Sequence, residues 1–88
     1  MAWKVEFTIE ARKSLEKLDK SVQERIRRFF KRLVAHENPR NLGKALTGNL
    51  DVYWSYRVGD YRAICSIHDN ILTVEVIRIG HRRDVYKY

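Results

Sequence analysis

The sequence predicts an α+β fold: an N-terminal strand, two helices, then a three-stranded antiparallel meander, with the helices packed on one face of a single sheet. Three observations carry this. Trp3-Lys4-Val5-Glu6-Phe7-Thr8-Ile9 alternates apolar and polar residues without a slip. Two following stretches place apolar residues at spacings of three and four. Later in the chain, alternating runs are separated by Gly59-Asp60 and Asp69-Asn70, which suit tight hairpin turns.

The first run reads as a half-buried strand. Ala11, Leu15 and Leu18 mark a short helical stretch, interrupted by Asp19-Lys20. Ser21-Val22-Gln23-Glu24 has the form of a capping box, with the Ser21 hydroxyl accepting from the Glu24 amide and the Glu24 carboxylate from that of Ser21. The helix it opens carries Val22, Ile26, Phe29, Phe30, Leu33 and Val34 as a broad apolar stripe. Arg25, Arg28, Lys31 and Arg32 lie on its other side. Asn38-Pro39 ends it, because proline disfavours the helical region for the residue before it. Residues 40–51 read as a linker, followed by strands at roughly 52–58, 61–68 and 71–79. The tail from Gly80 to Tyr88 is too short and too charged to pack as another element. A chain of 88 residues is expected to form one domain, 1–88.

Eighteen Lys and Arg against eleven Asp and Glu give a net charge of +7. In so small a domain this favours a polyanionic partner, because neutralising phosphates releases condensed counterions. An acidic protein or an anionic membrane satisfies the same sum. No apolar run approaches the length of a membrane span. Met1-Ala2-Trp3-Lys4 lacks the pattern of a secretion signal, and the single Cys65 cannot make an internal disulfide. The expectation is a cytoplasmic protein with no membrane partner.

Hairpin arithmetic sorts the meander into two faces. With Gly59-Asp60 as a two-residue turn, Val58 faces Tyr61, Arg57 faces Arg62, Tyr56 faces Ala63 and Trp54 faces Cys65. One face then holds Trp54, Tyr56, Val58, Tyr61, Ala63 and Cys65, and is expected to pack on the helices. With Asp69-Asn70 as a second two-residue turn, Leu72, Val74 and Val76 join that face. Ile71, Thr73, Glu75, Ile77, Ile79 and His81 join the other, beside Arg57 and Arg62. Arginines directly opposite each other repel on a bare sheet. A bound phosphate turns that repulsion into attraction; Asp60 or Glu75 is the alternative relief.

If the anion is an RNA phosphodiester, cleavage without a metal needs a base for the 2′-hydroxyl proton, an acid for the leaving 5′-oxygen, and cations for the transition state. Arg57, Arg62 and Arg82 suit the cationic role, His81 either proton role, and Tyr86 hydrogen bonding or stacking beneath a base. His36, His68 and His81 lack ligand spacing, and a lone cysteine completes no zinc set, so no metal or cofactor is expected. His36 suits the negative end of its helix, His68 a turn, Cys65 the core, and Trp3 and Trp54 packing.

Leu46-Thr47-Gly48-Asn49-Leu50, Trp54-Ser55-Tyr56-Arg57-Val58-Gly59-Asp60-Tyr61-Arg62 and Ile79-Gly80-His81-Arg82-Arg83-Asp84-Val85-Tyr86 together resemble the RelE/ParE toxin superfamily. The resemblance covers nearly the whole chain and points to its RelE-type branch. It implies a type II toxin that occupies the decoding site of the ribosome and cuts messenger RNA by 2′-hydroxyl attack, leaving a 2′,3′-cyclic phosphate. It implies a cognate antitoxin, acidic and wrapped around the toxin, with operator DNA bound only through their complex. By position, Arg62 matches the arginine that stabilises the transition state, Arg82 a second catalytic arginine, Tyr86 the C-terminal tyrosine of the site, and Arg57 a supporting basic position. RNA contact is further assigned to Lys44, Arg83, Arg28 and Arg32.

One departure stands out. The best-studied RelE branch carries two lysines in the strand before the hairpin, and here those places fall on Tyr53 and Ser55. His81 is the first candidate for the missing proton transfer and Tyr86 the second. The competing functions are a ParE-type gyrase inhibitor and a non-catalytic toxin relic acting only in a repressor complex.

Overall fold

The computed structural model describes residues 3–46 and 53–81. The alternating N-terminal run is β1 (Lys4–Phe7), with Lys4 and Glu6 exposed and Val5 and Phe7 half-buried. Thr8 caps α1 (Ile9–Glu16), its hydroxyl accepting from the Ala11 amide at 3.1 Å. Ala11 and Leu15 are the buried residues of that helix.

The next helix, α2 (Lys20–Leu33), starts one residue before the expected capping box, and its N-cap, Asp19, makes no side-chain bond. The box residues are engaged elsewhere. The Gln23 amide already donates to the Asp19 carbonyl, and the Glu24 carboxylate accepts from Arg28 at 2.9 Å. The Gln23 side chain donates to the Leu18 carbonyl at 2.8 Å, tying the end of one helix to the start of the next. α2 ends at Leu33, well before Asn38-Pro39, as the Ala35 and His36 amides donate three residues back. Trp3 fastens the turn beyond it, donating from Nε1 to the Glu37 carbonyl at 3.2 Å.

Residues 40–51 are not simply a linker. Pro39–Leu42 form a 3₁₀ turn capped by the Asn38 side chain, and Lys44–Ala45 form a short strand, β2. Two residues carry no periodicity, so only pairing with the neighbouring strand defines β2. Residues 47–52 lie outside the described residues.

The remaining strands are β3 (Tyr53–Val58), β4 (Tyr61–His68) and β5 (Thr73–His81). The sheet order is β1-β5-β4-β3-β2, with β1 parallel to β5 and the other pairs antiparallel. The predicted meander is therefore the centre of a five-stranded mixed sheet. Both helices cover one face: Ile26, Phe30 and Leu33 of α2 and Ala11 and Leu15 of α1 join Tyr56, Val58, Ala63, Cys65, Val74, Val76 and Ile79 in the core. Full burial of a side chain such as Phe30 contributes about 1.5–3 kcal/mol. Phe30 stands edge-on to Phe7, Phe29 and Tyr56, and the buried Tyr56 hydroxyl donates to the Pro39 carbonyl at 2.8 Å. Burial raises the pKa of both Tyr56 and Cys65, so each stays neutral.

The β3–β4 register is the expected one, Arg57 opposite Arg62 and Val58 opposite Tyr61, turning at Gly59, which has a φ of 62°. The β4–β5 turn differs. Residues 69–72 make the connection, with Leu72 left-handed at φ 48°, and His68 pairs with Thr73. This shift of two residues preserves the expected faces up to Val76. A β-bulge then intervenes: Cys65 pairs with Val76 but Ile64 with Arg78, leaving Ile77 extra. Every later residue of β5 exchanges faces. Ile79 consequently joins the core, 4% exposed, and not the open face.

Candidate nucleic-acid interface

The uncovered face of the sheet carries a groove of about 360 Å³ lined by Asn41, Leu42, Gly43, Lys44, Ser55, Arg57 and Arg62. The β3–β4 register puts the two arginines side by side, and β2 adds Lys44 opposite Ser55. Ser55, 5% exposed, lies in this lining at one of the two family lysine positions. Tyr53, at the other, is half-buried and pairs with Ser66.

The wall formed by residues 41–44 is anchored from the other side of the sheet. The Trp54 indole donates to the Arg40 carbonyl at 3.1 Å, and Arg40 forms a two-pronged ion pair with Asp69 at 2.7 and 2.9 Å. That pair lowers the pKa of Asp69 and raises that of Arg40. Gly43 admits no side chain, since a Cβ there would stand 2.6 Å from the Ser55 carbonyl oxygen and 2.7 Å from Trp54. The segment can thus turn tightly round the β3 edge and deliver Lys44 to the open face.

Among the described residues the charge in this groove is uncompensated: no carboxylate lines it, and Lys44, Arg57 and Arg62 make no ion pair. Arg57 Nε donates to the Gly59 carbonyl at 3.3 Å, which fixes its guanidinium beside the turn. The relief considered from Glu75 does not operate: that carboxylate lies 3.3 Å from His68 Nε2. Asp60 makes no ion pair among the described residues. Like charges held together at a concave surface form a receptor for a polyanion.

The expected convergence of His81 with the arginines is not what the strands deliver. Because of the bulge, Gly80 lies opposite Arg62, and His81 lies opposite Tyr61. Their rings meet edge-on at 5.7 Å, on the helix-covered side of the sheet. Arg28 and Arg32 also sit apart from the groove, exposed on α2 across the sheet. Lys44, Arg57 and Arg62 are brought together; Arg82, Arg83 and Tyr86 lie outside the described residues. Sequence reasoning missed Asn41, Leu42 and Gly43, whose only signal is a glycine at a place of close backbone approach.

Fold and groove together define a small basic α+β toxin of the RelE/ParE superfamily. A family model described as ParE toxin of type II toxin-antitoxin system, parDE, matches residues 5–86, and the chain belongs to that family. It is 34% identical to the toxin RelG of Mycobacterium tuberculosis (strain ATCC 25618 / H37Rv) over 87 residues, 99% of each chain. Its structure is similar to a chain of the toxin-antitoxin complex RelBE2 from Mycobacterium tuberculosis, with a TM-score of 0.84 and 32% identity, covering 93% of this chain and 100% of that one. A chain of the archaeal RelE-RelB complex from Pyrococcus horikoshii OT3 gives a TM-score of 0.74 and 26% identity, covering 97% of this chain and 100% of that one. Among the described residues, no helix is long and apolar enough to cross a membrane.

Proposed function

We propose that this toxin is a ribosome-dependent endoribonuclease that cuts messenger RNA in the decoding site without a metal ion, inhibiting translation. The observation that carries the reading is the groove in which, among the described residues, no carboxylate appears and Lys44, Arg57 and Arg62 stand without ion-pair partners. In the reaction the 2′-oxygen bonds to phosphorus and the bond to the 5′-oxygen breaks, giving a 2′,3′-cyclic phosphate. One proton leaves the 2′-hydroxyl and one reaches the departing oxygen. Arg62 stabilises the phosphorane-like charge, while Arg57 and Lys44 hold phosphate oxygens.

Arg82 and Tyr86 keep the roles that the motif gives them, as second cation and proton carrier, and Arg83 adds RNA contact. His81 is reassigned: facing Tyr61 across the sheet from Arg62, it braces the end of β5. The partners are a cognate acidic antitoxin and, through it, operator DNA; the toxin acts in the cytoplasm. Support for the antitoxin comes from the similar RelBE2 and RelE-RelB structures, both toxin-antitoxin complexes.

The ParE description of the matching family model favours a second reading, inhibition of DNA gyrase. Primer extension on translated message, run beside a gyrase supercoiling assay, separates the two. Breaks within codons that require ribosomes, with supercoiling unimpaired, are expected. Intact message with inhibited supercoiling would establish the second reading. Neither effect would leave a relic acting only in a repressor complex.

A further inference from the structure

The two flanks of α2 are chemically similar but stand in different places. Phe29 packs against Tyr56 of β3 at 5.7 Å, whereas Phe30 stands between Tyr56 at 6.0 Å and Phe7 of β1 at 5.7 Å. Phe29 therefore marks the β3 flank of the helix. Arg25 and Arg32 lie four residues before and three after it, on the same flank, with Arg28 between them. Arg27 belongs to the opposite flank, where it lines a depression with Phe7, Arg12, Leu15 and Glu16.

Arg25 is the link to the open face. Its Nη1 would lie 3.0 Å from a Cβ at Gly59, so the guanidinium rests on the β3–β4 turn. Arg57 reaches the same glycine from the other face of the sheet, donating to its carbonyl at 3.3 Å. Lys44, Arg62, Arg57, Arg25, Arg28 and Arg32 thus follow one another from the groove, over the turn, and along about 10 Å of helix. Among the described residues Arg25 and Arg32 make no ion pair, and the Arg28–Glu24 pair is largely exposed and weak.

We infer that Arg25, Arg28 and Arg32 form a second phosphate-binding segment, which holds the RNA strand where it leaves the groove around the Gly59 turn. The inference rests on reading the groove as an RNA site. Continuity with that groove favours RNA over an acidic protein as occupant, since a single strand that enters between Arg57 and Arg62 meets Arg25 next. Arginine's fork of donors suits successive phosphates, with no demand on base sequence.

The test compares two triple variants of the full chain with the same loss of charge: R25Q/R28Q/R32Q on the β3 flank, and K20Q/R27Q/K31Q on the remainder of α2. The probe is a single-stranded 12-nucleotide RNA with 2′-O-methyl groups throughout, which binds but cannot be cut. Affinity is measured from 50 to 200 mM salt, after circular dichroism and thermal melting confirm native folding. Three lost contacts should lower the slope of log K against log salt by about 2, at ~0.7 per phosphate. The control triple should leave it nearly unchanged. Equal slopes for the two variants would overturn the inference. So would a β3-flank variant that keeps its RNA affinity and loses only its grip on an acidic antitoxin. Ribosomal cleavage, assayed separately, keeps the two proposals apart: a flank difference without any cleavage would sink the nuclease reading, and cleavage without a flank difference would sink this one.

Discussion

At the scale of single residues, the arrangement turns on Arg62. It lies between Arg57 on β3 and Gly80 on β5, so one neighbour is a like charge and the other has no side chain to shield it. On the proposed function the repulsion has a purpose, since a phosphate placed there would satisfy both guanidinium groups. His81 is the counter-example, since its imidazole suits proton transfer but the bulge puts it beside Tyr61. Replacing His81 with Ala should leave single-turnover cleavage on ribosomes within a few-fold of the native rate. General acid–base catalysts contribute about 10²–10⁴-fold, and a loss of that size would return His81 to the chemistry.

At the scale of elements, the groove depends on a short strap that the sequence barely announces. Residues 38–44 are held to β3 by Trp54 and Tyr56, and to the β4–β5 turn by the Arg40–Asp69 pair. That pair has a testable pH signature. The Asp69 carboxylate titrates below its ordinary range because Arg40 donates to it. A depressed carboxylate adds stability above its unfolded pKa, near 4, and loses it as pH falls through the lower folded value. Urea unfolding of Asp69→Asn should therefore give a lower midpoint than the native chain at pH 6, with the gap narrowing steadily below pH 4. A gap unchanged down to pH 2 would show that the pair does not tie down the strap. The β3–β4 hairpin was fully legible, since Gly59-Asp60 fixes both turn and register. The β5 bulge left one trace, the adjacent apolar pair Val76-Ile77, where Val74-Glu75-Val76 and Ile77-Arg78-Ile79 alternate in opposite phase. Register counted straight from the hairpin turn runs through that slip and misplaces Ile79 and His81. β2 was hidden, because a two-residue strand has meaning only through its partner.

At the scale of the whole molecule, the sheet separates two kinds of surface. One face is sealed by α1 and α2 over an aromatic core, while the other leaves cations in a groove with no balancing carboxylate among the described residues. The excess of basic residues read from composition thus has a definite address, and the arginines of α2 extend it past the hairpin tip. Composition pointed only to an excess of positive charge; the register showed which cations meet and which stand apart. The central claim is that Arg62 stabilises a phosphodiester transition state in that groove. Single-turnover cleavage of message by Arg62→Ala on programmed ribosomes tests it most directly. The rate should fall about 10²–10³-fold, as for loss of one preorganised donor, while the variant still binds the ribosome. A variant that cuts at the native rate would contradict the claim.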